Sequence, residues 1–181
     1  MARLAQGATP FWRGQFRENN ECIPDVTFEP HRVFVLMPMG RNDSEEVYQA
    51  IKVACRTVDL VATRVDEKAG GRLIMRDVDA MMGHAEFLVF DLSYEKPNVY
   101  YELGYAHGIG NHAGNTLLVA KEGTQIHFDI APLRVQFYRS NDHLQSLVAA
   151  QLSEMRRNAA QRTRETRSTK PFSRWKFWKR S

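Results

Sequence analysis

Asp91 and Glu102 are the two residues of this sequence whose types and spacing could do chemistry. Asp91 ends the apolar run 87–90, which is typical of a buried strand, and Glu102 follows in a segment where Asn98 is suited to cap a helix. A carboxylate one turn into a helix lies near the positive end of the helix dipole, which favours its ionised form as a nucleophile or as an acceptor for hydroxyl groups. We therefore expect both acids to face one cleft. The competing interpretation is a capped surface helix with a solvated Glu102.

The elements that would position these acids alternate between strand and helix. Short apolar runs predict strands over 33–37, 60–65, 87–91, 116–120 and 134–138. Apolar residues at helical spacing predict helices over 44–58, 73–83 and 98–109, and a last helix that Asn141 caps and that ends near Arg156. Alternating strands and helices of this kind predict a parallel sheet covered by helices on both faces.

Ligands of such sheets bind beyond the carboxyl ends of the strands, near the point where the strand order reverses. The predicted loops 38–43, 66–72, 91–98 and 121–129 all lie at that edge. Their polar, glycine and methionine positions supply the candidate substrate-binding residues, which are Met39, Gly40, Arg41, Asp66, Gly71, Arg72, Asn98 and Asp129.

Several motifs that would indicate other chemistry are absent from the sequence. No phosphate loop of the Gly-x4-Gly-Lys-Ser type and no Gly-x-Gly-x-x-Gly follows the first strand, and no serine lies in a Gly-x-Ser-x-Gly context. The histidines lack a helical His-x3-His pair, and Cys22 and Cys55 lack metal-site spacing. We expect neither a metal nor a cofactor, which leaves carboxylate chemistry as the main enzymatic option.

Charge is distributed unevenly along the 181 residues. Residues 156–181 hold ten Lys and Arg and one acid, a net charge of +9, so residues 1–155, with 15 bases and 20 acids, carry −5. The basic pI therefore belongs to the end of the chain and does not indicate that the folded domain binds nucleic acid. We expect an irregular N-terminal arm over 1–30, an α/β domain over 31–158 and a basic aromatic tail over 159–181.

A resemblance to a known family rests mainly on the run Asn98–His107, Asn-Val-Tyr-Tyr-Glu-Leu-Gly-Tyr-Ala-His. In this run the chain resembles the nucleoside 2-deoxyribosyltransferase-like group, which is related to bacterial TIR-like domains. Weaker similarity lies in the segments 34–39, 64–67, 91–93 and 128–130 and at Arg134. The similarity covers residues 32–140. It implies a flavodoxin-like three-layer sandwich with a five-stranded, mainly parallel sheet.

The resemblance also implies roles for individual residues. Glu102 stands in the Glu-Leu-Gly position of the acid that attacks the anomeric carbon of a nucleoside or dinucleotide. Asp91 would hold sugar hydroxyls or orient Glu102, Asn98 would donate to a hydroxyl or cap the helix, and Arg41 or Arg72 would meet a phosphate. Deoxyribosyltransferases of this group place another acid shortly before the nucleophile, where this chain has Lys96 and Pro97. This difference favours a phosphate-bearing or NAD-like substrate, and hydrolysis over base exchange.

The sequence thus supports two functional hypotheses. The first is an enzyme that hydrolyses, or transfers across, the N-glycosidic bond of a nucleoside, nucleotide or NAD-type molecule. The second is a nucleotide-sensing module without turnover that signals through oligomerisation or through its basic tail. Self-association as a homo-oligomer is expected from the family resemblance.

The segment 170–180 interleaves four aromatic residues with five basic ones, a composition suited to an anionic membrane or a nucleic acid. A solvated tail, or one that docks on the protein's own surface or on a second subunit, is the competing interpretation. The chain has no apolar run near the roughly 18 residues of a membrane span, and Met1–Pro10 lacks signal-peptide features. We expect a cytoplasmic protein with peripheral membrane contact as an option.

Overall fold

The computed structural model describes residues 29–64, 75–111 and 114–168. The predicted N-terminal arm, the loop 66–72 and the segment 170–180 therefore fall largely or wholly outside the described residues. No helix in the described ranges is long and apolar enough to cross a membrane.

Strands and helices alternate as the apolar patterns predict. The five strands are β1 (Arg32–Leu36), β2 (Val61–Arg64), β3 (Phe87–Asp91), β4 (Thr116–Lys121) and β5 (Val135–Tyr138). The four helices are α1 (Ser44–Thr57), α2 (Met75–His84), α3 (Pro97–Gly108) and α4 (Asn141–Ser168), and a short turn over Ser93–Glu95 precedes α3.

All five strands are parallel and have the order β2-β1-β3-β4-β5. The order reverses between β1 and β3, so the loops that follow these two strands flank the switch point. The register places Leu36 beside Phe90 and Asp91 beside Val119. This order, with helices on both faces, is the flavodoxin-like three-layer sandwich.

Two apolar clusters cover the two faces of the sheet. One joins α1 and α4 to alternate residues of the strands, among them Val35, Val89 and Tyr138. The other joins α2 and α3 to the intervening residues, among them Leu36 and Phe90. Because side chains alternate along a strand, each strand residue belongs to one face only. This assignment decides which functional side chains can meet.

The connection between β4 and β5 contains no helix, since residues 122–134 form turns and irregular chain. Ile126, Ile130 and Leu133 of this segment pack on the α2/α3 cluster. They cover the sheet less completely than a helix would, and Phe137 of β5 remains 44% exposed. The face that carries α2 and α3 is therefore open beside α3.

Two sequence-based expectations about helix ends are wrong. The helix predicted to end near Arg156 continues to Ser168, because residues 156–168 contain five Arg and two Ala, which are good helix formers, and no Gly or Pro. Asn98 does not cap α3: the cap position belongs to Lys96, no side chain caps the helix there, and Pro97 occupies the first helical position.

Candidate functional site

The loops after β1, β3 and β4 meet at the carboxyl edge of the sheet. The Arg41 guanidinium lies 3.7 Å above the centre of the Tyr94 ring, and the Tyr94 hydroxyl donates a hydrogen bond to the Asp43 carboxylate. Asp43 also lies 3.5 Å from Arg41 Nε and 3.8 Å from Lys121 Nζ. We call Arg41, Asp43, Tyr94 and Lys121 the clasp. It spans from the loop after β1 to the end of β4, across the end of β3.

The clasp holds a backbone conformation that side chains normally avoid. Tyr94 and Glu95 have φ of +65° and +50°, the left-handed region that favours glycine. Such residues cost on the order of 1–3 kcal/mol each and persist where their surroundings fix them. The hydrogen bond from Tyr94 also holds the pKa of Asp43 below its ordinary value, since it stabilises the carboxylate.

Asp91 is buried directly beneath the clasp and its oxygens accept several hydrogen bonds. The Ser93 backbone N–H (3.0 Å) and hydroxyl (2.5 Å) donate to Oδ1, and the Tyr138 hydroxyl donates to Oδ2 at 3.3 Å. The Ser93 hydroxyl oxygen in turn accepts from the Lys121 backbone N–H at 2.8 Å. Burial raises the pKa of Asp91, against the opposing effect of these donors. The network ties β3, β4 and β5 together at their carboxyl ends.

Glu102 lies in different surroundings, on the side of α3. Its side chain is partly buried, and burial raises its pKa from 4.5 to about 7. The expectation that the helix dipole favours the ionised form is therefore wrong, because desolvation outweighs the dipole at this position. Among the residues that the structure describes, none forms a hydrogen bond or an ion pair with its carboxylate. Within the described part of the chain, Glu102 is thus a desolvated acid without a partner, the kind of group that functional sites use and that purely structural positions rarely keep.

The expectation that Asp91 and Glu102 face one cleft is not met by this arrangement. Asp91 has the same strand parity as Phe87 and Val89, which belong to the α1/α4 cluster, and its partner Tyr138 belongs to that cluster too. Glu102 is carried by α3, whose buried residues all belong to the opposite cluster. Neither carboxylate contributes to the pKa shift of the other. The alternation of side chains along β3 is the physical reason for the separation.

An open cleft of about 400 Å³ lies along the other flank of α3, against the segment that joins β4 to β5. It is lined by Glu95, Pro97, Tyr100, Leu103, Gly104, His107, His127, Asp129 and Ile130. The rings of Tyr100 and His127 meet edge to face at 5.2 Å. The buried Tyr100 hydroxyl has no hydrogen-bond partner in the described part of the chain. We call this feature the acidic cleft, after its two carboxylates.

The helix geometry separates Glu102 from the acidic cleft. Tyr100, Gly104 and His107 line the cleft, and at about 100° per residue Glu102 projects from the opposite flank of α3. Because the cleft lies on the β4/β5 side, the flank with Glu102 faces the β1/β2 side, where α2 packs on β1. The segment that joins β2 to α2 holds the candidates Asp66, Gly71 and Arg72, which lie outside the described residues.

The remaining candidates are spread over the carboxyl edge. Met39 is 42% exposed, and Gly40 has φ of +73°, which a glycine adopts without strain. Arg41 belongs to the clasp, Asn98 is exposed on the first turn of α3, and Asp129 lines the acidic cleft. The structure therefore joins Arg41 to the end of β3 but places Asp129 away from Glu102.

Sequence analysis missed the residues that partner the predicted ones. Asp43, Tyr94 and Lys121 complete the clasp, and Ser93 and Tyr138 hold Asp91. The available signal was their position, since all five lie at or just after the carboxyl end of a strand or at the start of α1. Among the described residues, no group of three or more His, Cys, Asp or Glu side chains could hold a metal ion.

Comparison with known proteins yields similarity in fold. No protein-family model and no curated protein matches the chain. A flavo di-iron protein variant from Thermotoga maritima is similar with a TM-score of 0.55 and 15% sequence identity, over 72% of this chain and 37% of that one. A flavoprotein from the same organism is similar with a TM-score of 0.53 and 13% identity, over 74% of this chain and 37% of that one. The chain thus spans little more than a third of these proteins, and the likeness confirms the flavodoxin-like fold.

Proposed function

We propose that this protein cleaves the N-glycosidic bond of a nucleoside, nucleotide or NAD-type molecule, with Glu102 as the carboxylate that acts on the sugar. The observation that carries the proposal is the state of Glu102, a partly buried acid whose pKa is raised to about 7 and with which no described residue pairs. It stands in the Glu-Leu-Gly position that the family resemblance assigns to the nucleophile. A structural role would call for a partner, and the described residues supply none.

The chemistry follows from the charge that develops on the sugar. As the bond between the anomeric carbon and the base nitrogen breaks, its electron pair leaves with the base, and the Glu102 carboxylate attacks the carbon to form a glycosyl ester. Water then attacks the same carbon, gives up a proton and releases the carboxylate, as in the two steps of retaining glycosidases. Lys96 in place of a second acid favours this hydrolysis over transfer to another base.

The other residues of the carboxyl edge have supporting roles in this proposal. Arg41 is exposed at the switch point, where a phosphate-bearing substrate would meet a guanidinium. Asn98 lies one turn before Glu102 on the same flank of α3 and is placed to meet a sugar hydroxyl. Asp91 acts as a positioning residue, since its oxygens are engaged by Ser93 and Tyr138, and it fixes the turn that leads into α3.

A panel of nucleosides, nucleotides and NAD tests the proposal, with released base as the readout. We expect the wild type to release base from at least one member, and Glu102→Gln to lower kcat by at least about 1000-fold while substrate binding persists. Glu46→Gln is the matched control, because Glu46 is an exposed glutamate in the first turn of α1. Unchanged turnover in Glu102→Gln would exclude Glu102 as the nucleophile.

A second candidate function is nucleotide sensing without turnover, with signalling through oligomerisation or the basic tail. The engagement of Asp91 by Ser93 and Tyr138 favours it, because these hydrogen bonds occupy the Asp91 oxygens that would otherwise act on a substrate. The same panel distinguishes the two functions. A wild type that binds a nucleotide measurably in calorimetry but releases no base from any member is a sensor.

A further inference from the structure

The acidic cleft contains two carboxylates, and no Lys or Arg is among the described residues that line it. Glu95 lies 4.0 Å from His127, and in the described part of the chain neither Glu95 nor Asp129 forms an ion pair with a Lys or an Arg. Apolar and aromatic side chains that are partly exposed, Ile130 and Tyr100, line the wall between them. At the rim, Phe128 is 82% exposed. A cleft of this kind fits an occupant that combines cationic groups with aromatic rings.

This chain contains such a segment. Residues 170–180 read Lys-Pro-Phe-Ser-Arg-Trp-Lys-Phe-Trp-Lys-Arg, in which basic residues alternate with rings. The complementarity extends to the whole chain, because residues 1–155 carry −5 and residues 156–181 carry +9. Opposite charges on two parts of one chain attract each other over about a Debye length, which is about 8 Å at physiological salt.

The end of α4 lies close enough to the cleft for this segment to reach it. The Arg162 guanidinium packs against Gly114, where an added Cβ would lie 2.8 Å from Nη1. Gly114 is seven positions along the chain from His107, which lines the cleft, so at most about 23 Å of chain lies between them. From Arg162, α4 continues only about 9 Å to Ser168. The 13 residues that follow span up to about 43 Å when extended, which is sufficient.

We propose that residues 170–180 bind the acidic cleft of their own chain, with Lys and Arg side chains at Glu95 and Asp129 and aromatic rings against the wall formed by Tyr100 and Ile130. Docking within one chain is favoured over docking between chains, because the tether keeps the effective concentration of the segment in the millimolar range. The proposal is independent of Glu102, which lies on the other flank of α3.

Tryptophan fluorescence tests this proposal directly, because the three tryptophans are Trp12, Trp175 and Trp178. In a Trp12→Phe background of the full chain, only the segment 170–180 emits. We expect its emission to be blue-shifted and protected from acrylamide relative to the free peptide 169–181. The double variant Glu95→Lys with Asp129→Lys should lose both the shift and the protection. One molar salt should reduce them, because salt screens the contact.

The control for charge is Glu46→Lys with Glu154→Lys, which makes the same change at exposed positions of α1 and α4, away from the cleft. It should leave the emission unchanged, and circular dichroism should show that both double variants are folded. The proposal is overturned if the parent emits like the free peptide, or if a shift occurs only with phosphatidylglycerol vesicles or an oligothymidylate. A shift that grows with protein concentration, together with a doubled mass in ultracentrifugation, would assign the contact to a second copy and also overturn it.

Discussion

Asp91 and Glu102 are both carboxylates whose pKa burial raises, yet they occupy opposite kinds of surroundings. Asp91 is buried under the clasp on the α1/α4 face and accepts hydrogen bonds from Ser93 and Tyr138. Glu102 is partly buried on the α2/α3 side with no partner in the described residues. A paired buried acid is typical of a structural junction, whereas an unpaired one costs stability that a function must justify.

Removing the Asp91 carboxylate should give the largest change in stability. Asp91→Ala leaves the Ser93 N–H, the Ser93 hydroxyl and the Tyr138 hydroxyl without their acceptor, and we expect a loss of about 2–4 kcal/mol in urea unfolding. At pH 5, where the Glu102 carboxyl of the folded chain is protonated, Glu102→Ala should change the free energy of unfolding by less than about 1 kcal/mol, because no hydrogen bond is lost. Equal losses in the two variants would remove the distinction between the two acids.

The pH dependence of stability gives the next largest effect. The pKa of Glu102 is about 7 in the folded chain, whereas its ordinary value is 4.5. Between pH 4.5 and pH 7, the folded state therefore keeps a proton that the unfolded state has released. This contribution is fully present below about pH 4.5 and is lost as the pH rises through 7, at a cost of about 1–2 kcal/mol, because solvent screens part of the effect at this partly exposed carboxylate.

Urea unfolding of the wild type and of Glu102→Gln at pH 5 and pH 8 measures this contribution. The wild type should lose more stability than the variant between the two values, because the glutamine cannot titrate. Other groups, Asp91 among them, titrate in both proteins and cancel in the difference. Identical pH profiles would show that Glu102 is solvated.

Removing one hydrogen bond of the clasp should lower the free energy of unfolding by a smaller amount, on the order of 1 kcal/mol. Tyr94→Phe keeps the ring beneath Arg41 but removes the hydroxyl that donates to Asp43. Since that hydrogen bond is the main cause of the lowered pKa of Asp43, we expect this pKa to rise toward its ordinary value in a carboxyl NMR titration. Tyr101→Phe is the control, because Tyr101 is 64% exposed and outside the clasp. A pKa of Asp43 that does not move would contradict the hydrogen bond.

The smallest effect concerns the backbone of the turn before α3. Glu95 is exposed and has φ of +50°, so Glu95→Gly should be more stable than Glu95→Ala by about 1 kcal/mol. At Glu46, inside α1, the order should reverse by a similar amount, because alanine favours a helix over glycine by about 1 kcal/mol. Thermal unfolding of the four variants measures which of the glycine and alanine variants is more stable at each position. If the alanine variant were the more stable one at both positions, the left-handed turn at Glu95 would be contradicted.

The layout of the fold follows from the sequence, whereas the meeting of its side chains does not. Apolar runs and helical spacing predict all five strands and four helices, because burial imposes these patterns locally. The face that Asp91 occupies depends on which helices cover which side of the sheet, a non-local property. The left-handed conformation of Tyr94 and Glu95 gives no signal either, because neither position holds Gly or Asn.

The positions of the candidate site residues were also predictable only in part. The candidates at the end of β1 and the start of α3 lie at the carboxyl edge as expected, since parallel strands bring their ends together. Asp129 was assigned to the same rim from its loop, but the irregular chain between β4 and β5 carries it into a separate cleft. A regular crossover helix would have made the loop assignment sufficient.

The helix-free connection between β4 and β5 also affects how the sheet opens. β5 is an edge strand that pairs with β4 alone, is packed by α4 on one face and leaves Phe137 exposed on the other. β3, in contrast, is flanked by two strands and lies between both apolar clusters. We therefore expect the amide hydrogens of β5 to exchange with solvent well before those of β3, which would make this edge of the sheet the less stable side of a rigid central strand.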